Sequence, residues 1–207
     1  LRKAPGNKEK IFYTAVKLFA QKGYAPVTMR EIAAEVGIKA ASIYNHYDSK
    51  ESLLTAMVEY FRDALNSQVF PSFEELRSLP PREYLLGTMN STERMFTDPV
   101  LREISAILVK EQFTNKTVRL LLLTELIQKP REALTEYFTS MISGGRMKQI
   151  NPTLAAKEYH AYFIYRFYEN SLRIDSGAQE FYKDEDEQAA HLNLFLEHFQ
   201  LEDTDKK

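Results

Sequence analysis

Between Lys39 and Lys50 the chain reads KAASIYNHYDSK, a short stretch dense in hydrogen-bonding groups. Asn45 carries an amide that both donates and accepts, the requirement for bidentate recognition of an adenine edge. Tyr44 and His46 end in polar groups able to donate to phosphate oxygens. Lys50 adds a positive charge beside a helix start, where free backbone N–H groups already favour anions. Ala40, Ala41 and Ser42 are small, so the backbone itself can approach a partner closely. Spacing then sorts the side chains. Ile43 and Tyr47, four apart, pin a short helix to a core and leave Ser42, Asn45 and His46 pointing outward. The chemistry on offer is nucleic-acid recognition. On these residues alone, a helical hairpin with a solvated polar face is an equal alternative.

The elements that must position this stretch are helices. A stripe of Ile11, Phe12, Ala15, Leu18 and Phe19 predicts a first helix over about residues 7–21, closed by Gly23. TMRE opens a second, with Thr28 at the N-cap and Glu31 three residues on, a capping-box pattern. Ile32, Ala33 and Val36 face inward and Gly37 stops it. After a four-residue turn comes the short helix of residues 41–47. Asp48 or Ser49 caps a longer fourth helix, striped by Leu54, Met57, Val58, Phe61 and Leu65. Two short helices joined at a glycine are a helix-turn-helix by spacing, a motif whose second helix enters the major groove.

Charge points the same way. The 207 residues have a formal net charge of -2. Residues 1–50 hold nine Lys or Arg against four Asp or Glu, so +5, and the remainder carries -7. A basic head on an acidic body is the asymmetry expected where only the head meets nucleic acid. With no cysteine, a disulfide framework and thiolate metal sites are excluded. The four histidines, His46, His160, His191 and His198, form no metal-ligand set by spacing, and His191 and His198 are expected at an interface or the surface. No Gly-rich phosphate loop and no nucleophile–base pair can be placed, so no catalytic residue and no cofactor are expected. The opening LRKAPGNKEK lacks the apolar run of a secretory signal, and the longest aliphatic run, residues 120–123, is far too short for a membrane span. The expected location is the cytoplasm.

Residues 8–58 resemble the DNA-binding domain of the TetR family of bacterial and archaeal transcription regulators. The resemblance lies in Phe19 with KGY at the end of the first helix, in the T-x-x-x-I-A-x-x-x-G of Thr28 to Gly37, and in the Y-x-H-Y-x-x-K-x-x-L of Tyr44 to Leu53. It covers about a quarter of the chain. It implies that Thr28, Tyr44, His46 and Lys50 contact phosphates, and that Lys39, Ala40, Ala41, Ser42 and Asn45 face the groove. Tyr47 stands where the family more often has Phe. The recognition helix lacks Arg and Gln, which leaves Asn45 as the bidentate base reader, with alanine methyls available to thymine methyls.

The resemblance also implies an all-α chain of two domains: a three-helix DNA-binding head over residues 1–50, and a helical effector-binding and dimerisation body over residues 51–207. Beyond the head the reading is coarser. NSQVFPSFEELRSLPPRE is expected as a Pro-marked connection. Helices are expected over about residues 82–96, 99–113, 116–143, 153–173 and 185–200. Pro130 should bend or interrupt the third of these, Gly144 and Gly145 should end it, and Asn151 with Pro152 should start the next. RIDSGAQEFYKDEDE is the last loop, its acidic run Asp184 to Glu187 suited to a helix N-terminus. Helix 153–173 is apolar or aromatic nearly all round and should be buried on two sides. The last helix offers Ala189, Leu192, Leu196 and Phe199. These two helices are expected to pair with their copies in a homodimer on a palindromic DNA operator; a crowded monomer core is the alternative.

A small, mostly apolar effector is the expected regulator of a repressor of this kind. Candidate lining residues are Tyr84, Met89, Thr92, Met95 and Phe96, then Ile104, Leu108 and Glu111, then Tyr162, Arg166 and Asn170. The polar pair Arg166 and Asn170 needs partners if buried. An internal Glu111 or Glu169 is favoured over a ligand group. The alternative to effector control is a ligand-independent DNA-binding dimer, architectural or protein-regulated.

Overall fold

The computed structural model describes residues 6–177 and 184–201. Residues 178–183 of the expected last loop lie outside them, as do Arg2 and Lys3 of the basic head. Among the described residues there are ten α-helices, one 3-10 helix, two π-helical stretches and no strand. The head holds α1 (Asn7–Lys22), α2 (Met29–Val36) and the 3-10 helix Ser42–Asn45. α3 (Lys50–Ala64) comes next and runs into a π-helical stretch, Leu65–Val69, and α4 (Phe70–Glu75). The rest of the body is α5 (Pro81–Met95), α6 (Pro99–Glu111), α7 (Lys116–Leu121), a second π stretch over Leu122–Gln128, α8 (Lys129–Ser143), α9 (Pro152–Asp175) and α10 (Glu185–His198).

The caps are those the sequence marks. Gly23, at φ 83°, donates its N–H to the Phe19 carbonyl at 2.9 Å and ends α1. Thr28 accepts from the Glu31 N–H at 3.2 Å, a cap worth about 1 kcal/mol. Only half of the expected capping box forms, because the Glu31 carboxylate turns instead to Lys22, 2.5 Å away, and ties the end of α1 to α2. Ser49 caps α3 and Asp98 caps α6. Asn151 accepts from the N–H groups of Thr153 and Leu154. Asp184 accepts from the Glu187 N–H at 2.9 Å, so the acidic run sits at the start of α10.

One expectation about the backbone needs correction, and one is met. The Pro-marked connection after the fourth helix is helical as far as Glu75, because Pro71 lies in the first turn of α4, where its missing N–H costs nothing. The long helix over 116–143 is broken by the π-helical turns before Pro130, with Pro130 itself in the first turn of α8. A proline ring clashes with the carbonyl four residues earlier, and the wider π winding relieves that clash.

One apolar core runs from Ile11 and Phe19 in the head through Phe61 to Tyr159 and Leu196 in the body. α1 packs on α2, α3 and α6, α3 also packs on α6 and α7, and α9 packs on α6 and α8. Phe61, fully buried, stands 6.3 Å from Phe96 and 6.4 Å from Phe167. Truncating such a side chain to alanine costs about 3–5 kcal/mol. α3 therefore joins the two regions, starting at Lys50 under the head and ending at Ala64 in the body.

α9 is buried on one side by Ala155, Ala156, Tyr159 and Phe167, while Leu154, Tyr165 and Leu172 stand in solvent on the monomer. α10 differs from expectation. Leu192, Leu196 and Phe199 pack inside the chain's own core, and the exposed large apolar residue of α10 is Leu194, 67% accessible. Apart from Ala189, which is exposed, the stripe read from the sequence is the intramolecular face, since α10 must first cover Tyr159 and Phe138.

Candidate nucleic-acid interface and body cavity

Gly37 adopts φ 80° and ψ 30°, a left-handed conformation that a side chain would strain, and reverses the chain after α2. The Ser42 N–H then donates to the Lys39 carbonyl at 2.8 Å, closing the turn. The helical segment beyond it is one tight turn over Ser42–Asn45, shorter than the expected helix over residues 41–47. Both ends are anchored, Ile43 completely buried and Tyr47 8% exposed. With Ser49 capping α3 only two residues after Tyr47, there is room for little more than one turn.

The anchors set what faces outward. Lys39, Ala40, Ala41, Tyr44 and Asn45 are exposed, and Ser42 and His46 are half-buried beside them. Thr28, at the start of α2, is exposed too. Its oxygen accepts the Glu31 N–H, so its own O–H remains available to donate to an anion at that helix N-terminus. Lys50 is more occupied than the sequence suggests. Its ammonium donates to the carbonyls of Tyr24 and Ala25, each at 2.9 Å, and lies 4.4 Å from the centre of the Tyr24 ring. Two of its three N–H donors thus clamp the loop between α1 and α2, leaving one for a phosphate. Burial, and then the charge of Glu51, push the Tyr24 phenol up to about 12.

In the body, the candidate effector residues fall into separate places. Tyr84 is buried and stacks on Tyr137 at 3.8 Å. Met95, Ile104 and Leu108 are buried core residues, and Glu111 is half-buried at the end of α6. Met89, Thr92, Phe96, Tyr162 and Arg166 line one narrow crevice. The internal partners of Arg166 are Glu93 at 3.5 Å and Glu187 at 3.7 Å, not Glu111 or Glu169. Glu169 pairs with Arg173 one turn away, and the Asn170 amide donates to the Arg166 carbonyl. Glu93 lies on α5, in a part of the sequence remote from α9, and neither motif nor periodicity marks it as a partner.

A second, largely enclosed cavity of about 40 Å³ lies deeper in the body, and only Thr92 and Phe96 of the candidates reach it. Its wall comes mainly from residues the sequence did not single out, including Phe70, Phe73, Phe163 and His160. Both π-helical stretches contribute, Leu65 and Val69 from the first and Glu125 and Leu126 from the second. π turns inside helices recur at functional sites. His191, expected at an interface or the surface, is instead half-buried and stacks on Tyr162 at 4.1 Å, and burial lowers its imidazole below the usual range. Among the described residues no cluster of three or more His, Asp or Glu is placed to hold a metal ion, and no helix is long and apolar enough to cross a membrane.

Comparison with known proteins bears on both regions. Residues 11–57 match the model of bacterial regulatory proteins, tetR family. The uncharacterized HTH-type transcriptional regulator YerO of Bacillus subtilis (strain 168) is 33% identical over 132 residues, 64% of this chain and 40% of YerO. The biofilm operon icaADBC HTH-type negative transcriptional regulator IcaR of Staphylococcus aureus (strain Newman) is 45% identical over 60 residues, 29% of this chain and 32% of IcaR. The chain thus spans less than half the length of the curated relatives it matches. The solved structure of AibR in complex with isovaleryl coenzyme A and operator DNA superposes with a TM-score of 0.63 at 24% identity, covering 95% of this chain and all of that one. At that identity the likeness is one of fold.

Proposed function

With residues 11–57 matching the model of the tetR family of bacterial regulatory proteins and the chain sharing the fold of a protein solved with operator DNA, we propose that this chain is a DNA-binding transcriptional repressor. It acts as a homodimer on a palindromic operator and is released by a small molecule held in its body. The observation that carries the reading is the anchored turn Ser42–Asn45, which turns Lys39, Ala40, Ala41 and Asn45 outward on a basic head. In this reading residues 1–50 form the DNA-binding head and residues 51–207 the body. Asn45 reads an adenine edge, Thr28, Tyr44, His46 and Lys50 hold phosphates, and the small residues let the backbone approach the bases.

Dimerisation uses the faces of α9 and α10 that the monomer leaves in solvent, with Leu154, Tyr165, Leu172 and Leu194 at their centre. Two heads related by a two-fold axis then meet half-sites about one helical turn apart, roughly 34–36 Å, or a multiple of it. Release works through α3. Its first residue clamps the loop beside α2, and it runs directly into the π-helical stretch whose Leu65 and Val69 line the cavity. A guest that spreads the wall tilts α3 and changes the separation of the heads. Such a guest shifts the population only through a preference for the non-binding state, about 5.5 kcal/mol for a complete reversal from 1:99 to 99:1.

The small size of the cavity favours a second reading, a DNA-binding dimer with no small-molecule control. At about 40 Å³ it is well below the several hundred cubic ångströms of a ready-made ligand site. Anisotropy titrations of a selected duplex against a scrambled one, with and without compounds that raise the melting temperature, separate the two. The repressor reading expects a preference of about 10³ or more for the selected duplex, lost on adding a stabilising compound. A preference untouched by every stabilising compound supports the ligand-independent dimer, and equal affinity for both duplexes rejects sequence-specific binding.

A further inference from the structure

The wall of the body cavity is aromatic and aliphatic, and most of its polar groups are already satisfied within the chain. Thr88 donates to the Leu85 carbonyl at 2.9 Å, Thr92 to the Thr88 carbonyl at 3.1 Å, and the Tyr159 hydroxyl to the Leu85 carbonyl at 2.8 Å. The Glu125 carboxylate is balanced by Lys129 and by Arg62, 3.7 Å away. His160 differs. It is 4% exposed, it lines the cavity, and its Nδ1 is buried with no hydrogen-bond partner. Buried ring nitrogens are ordinarily paired, and one left without a partner in a cavity wall marks a place for a guest's polar group.

Charge decides what kind of group. Burial first, and the nearby charge of Arg131 second, lower the His160 imidazole to about 4, so the ring is neutral at physiological pH. A neutral imidazole offers one donor and one acceptor, and no charge to balance an ion. An anionic guest would lose its hydration without gaining a counter-charge in this wall. A cationic one would meet a carboxylate already held by two cations. At about 40 Å³ the cavity also holds no more than a few water-sized groups, so a ring-sized guest must spread the wall, which includes two π-helical stretches.

We propose that the effector is an uncharged, mostly apolar ring compound with one hydroxyl or amide group, which seats on Nδ1 of His160. This rests on the reading of the cavity as the effector site. It adds the chemical class of the effector and the residue that selects it.

Calorimetric titration of the full chain with four probes of one shape tests it: toluene, p-cresol, p-toluate and 4-methylbenzylammonium. Wild-type protein is expected to bind p-cresol about tenfold more tightly than toluene, a gain of the size of one modest hydrogen bond, and neither ion measurably. His160→Phe should reduce p-cresol to the level of toluene, and His160→Gln, which keeps a hydrogen-bonding group, should retain part of the preference. The 15N resonance of His160 Nδ1 should move with p-cresol and not with toluene. Equal binding of toluene and p-cresol to wild type overturns the role of His160. If both then also release DNA, the effector-site reading survives without it. Tightest binding of p-toluate overturns the uncharged class and points to Arg131. No binding of any probe to folded wild type overturns the proposal and the effector-site reading together.

Discussion

At the scale of single residues, the head and the body ask for different experiments. Asn45→Ala should cost about 1–3 kcal/mol per half-site and relax specificity at one base position; a uniform loss at every position would remove it as a base reader. Lys50→Ala should weaken all DNA sequences and flatten the salt dependence by about one contact per subunit. Because its ammonium also holds the Tyr24 and Ala25 carbonyls, the same change should lower the melting temperature, which a pure phosphate contact would not do. Lys50 was legible in the sequence only as a positive charge. The two carbonyls it holds lie some 25 residues away and carry no side-chain signal. His160 supplies a pH prediction. Its folded value, about 4, lies below that of a free imidazole, so the unfolded chain takes up a proton that the folded chain does not. Stability from this group is therefore complete above about pH 6.5 and declines as pH falls from there toward 4, by at most about 1.4 kcal/mol per pH unit. His191, also lowered by burial, adds to the same slope. Denaturant melts of wild type and His160→Phe between pH 7 and 4 should show a shallower acid decline in the variant; parallel curves would mean that His160 is not held neutral.

At the scale of elements, the clearest lesson comes from α10. Its stripe of Ala189, Leu192, Leu196 and Phe199 was legible as apolar, but periodicity does not say what an apolar face meets, and all of it but Ala189 is buried within the chain. In the structure that face covers α8 and α9, and Leu194 on the other side is exposed. Leu194→Glu should therefore yield folded monomers that bind DNA weakly, as monitored by sedimentation and by circular dichroism. Leu196→Glu should instead destabilise the monomer itself, by several kcal/mol, because it buries an unpaired carboxylate. A dimer unaffected by Leu194→Glu would move the interface elsewhere. The helix starts and stops at Thr28, Gly37, Asn151 and Pro152 were legible because capping is local chemistry. The π-helical stretches at Leu65–Val69 and Leu122–Gln128 were not, since a π turn uses the same residue types as an α turn and differs by one position in its hydrogen bonds. The cavity they help to line was hidden for that reason, and most of its wall, with His160, lay outside the candidates read from the sequence.

At the scale of the whole molecule, the reading joins a basic head, an acidic body and one helix that belongs to both. The all-α class and the helix-turn-helix were carried by the sequence, through the stripe of α1, the spacing of Thr28 to Gly37 and the residues from Tyr44 to Leu53. The cavity proposed as the effector site was not, because it is assembled from α4, α5, α8 and α9 together with both π stretches. The central claim is that two heads read DNA as a symmetric pair. It is tested most directly by incubating the purified full chain with a pool of random duplexes, recovering the bound fraction and sequencing it through successive rounds. The account predicts an enriched inverted repeat whose half-sites are centred about one helical turn apart or a multiple of it, with an adenine in each half-site that Asn45→Ala no longer selects. Enrichment of a single unpaired half-site, or no enrichment over the starting pool, would contradict it.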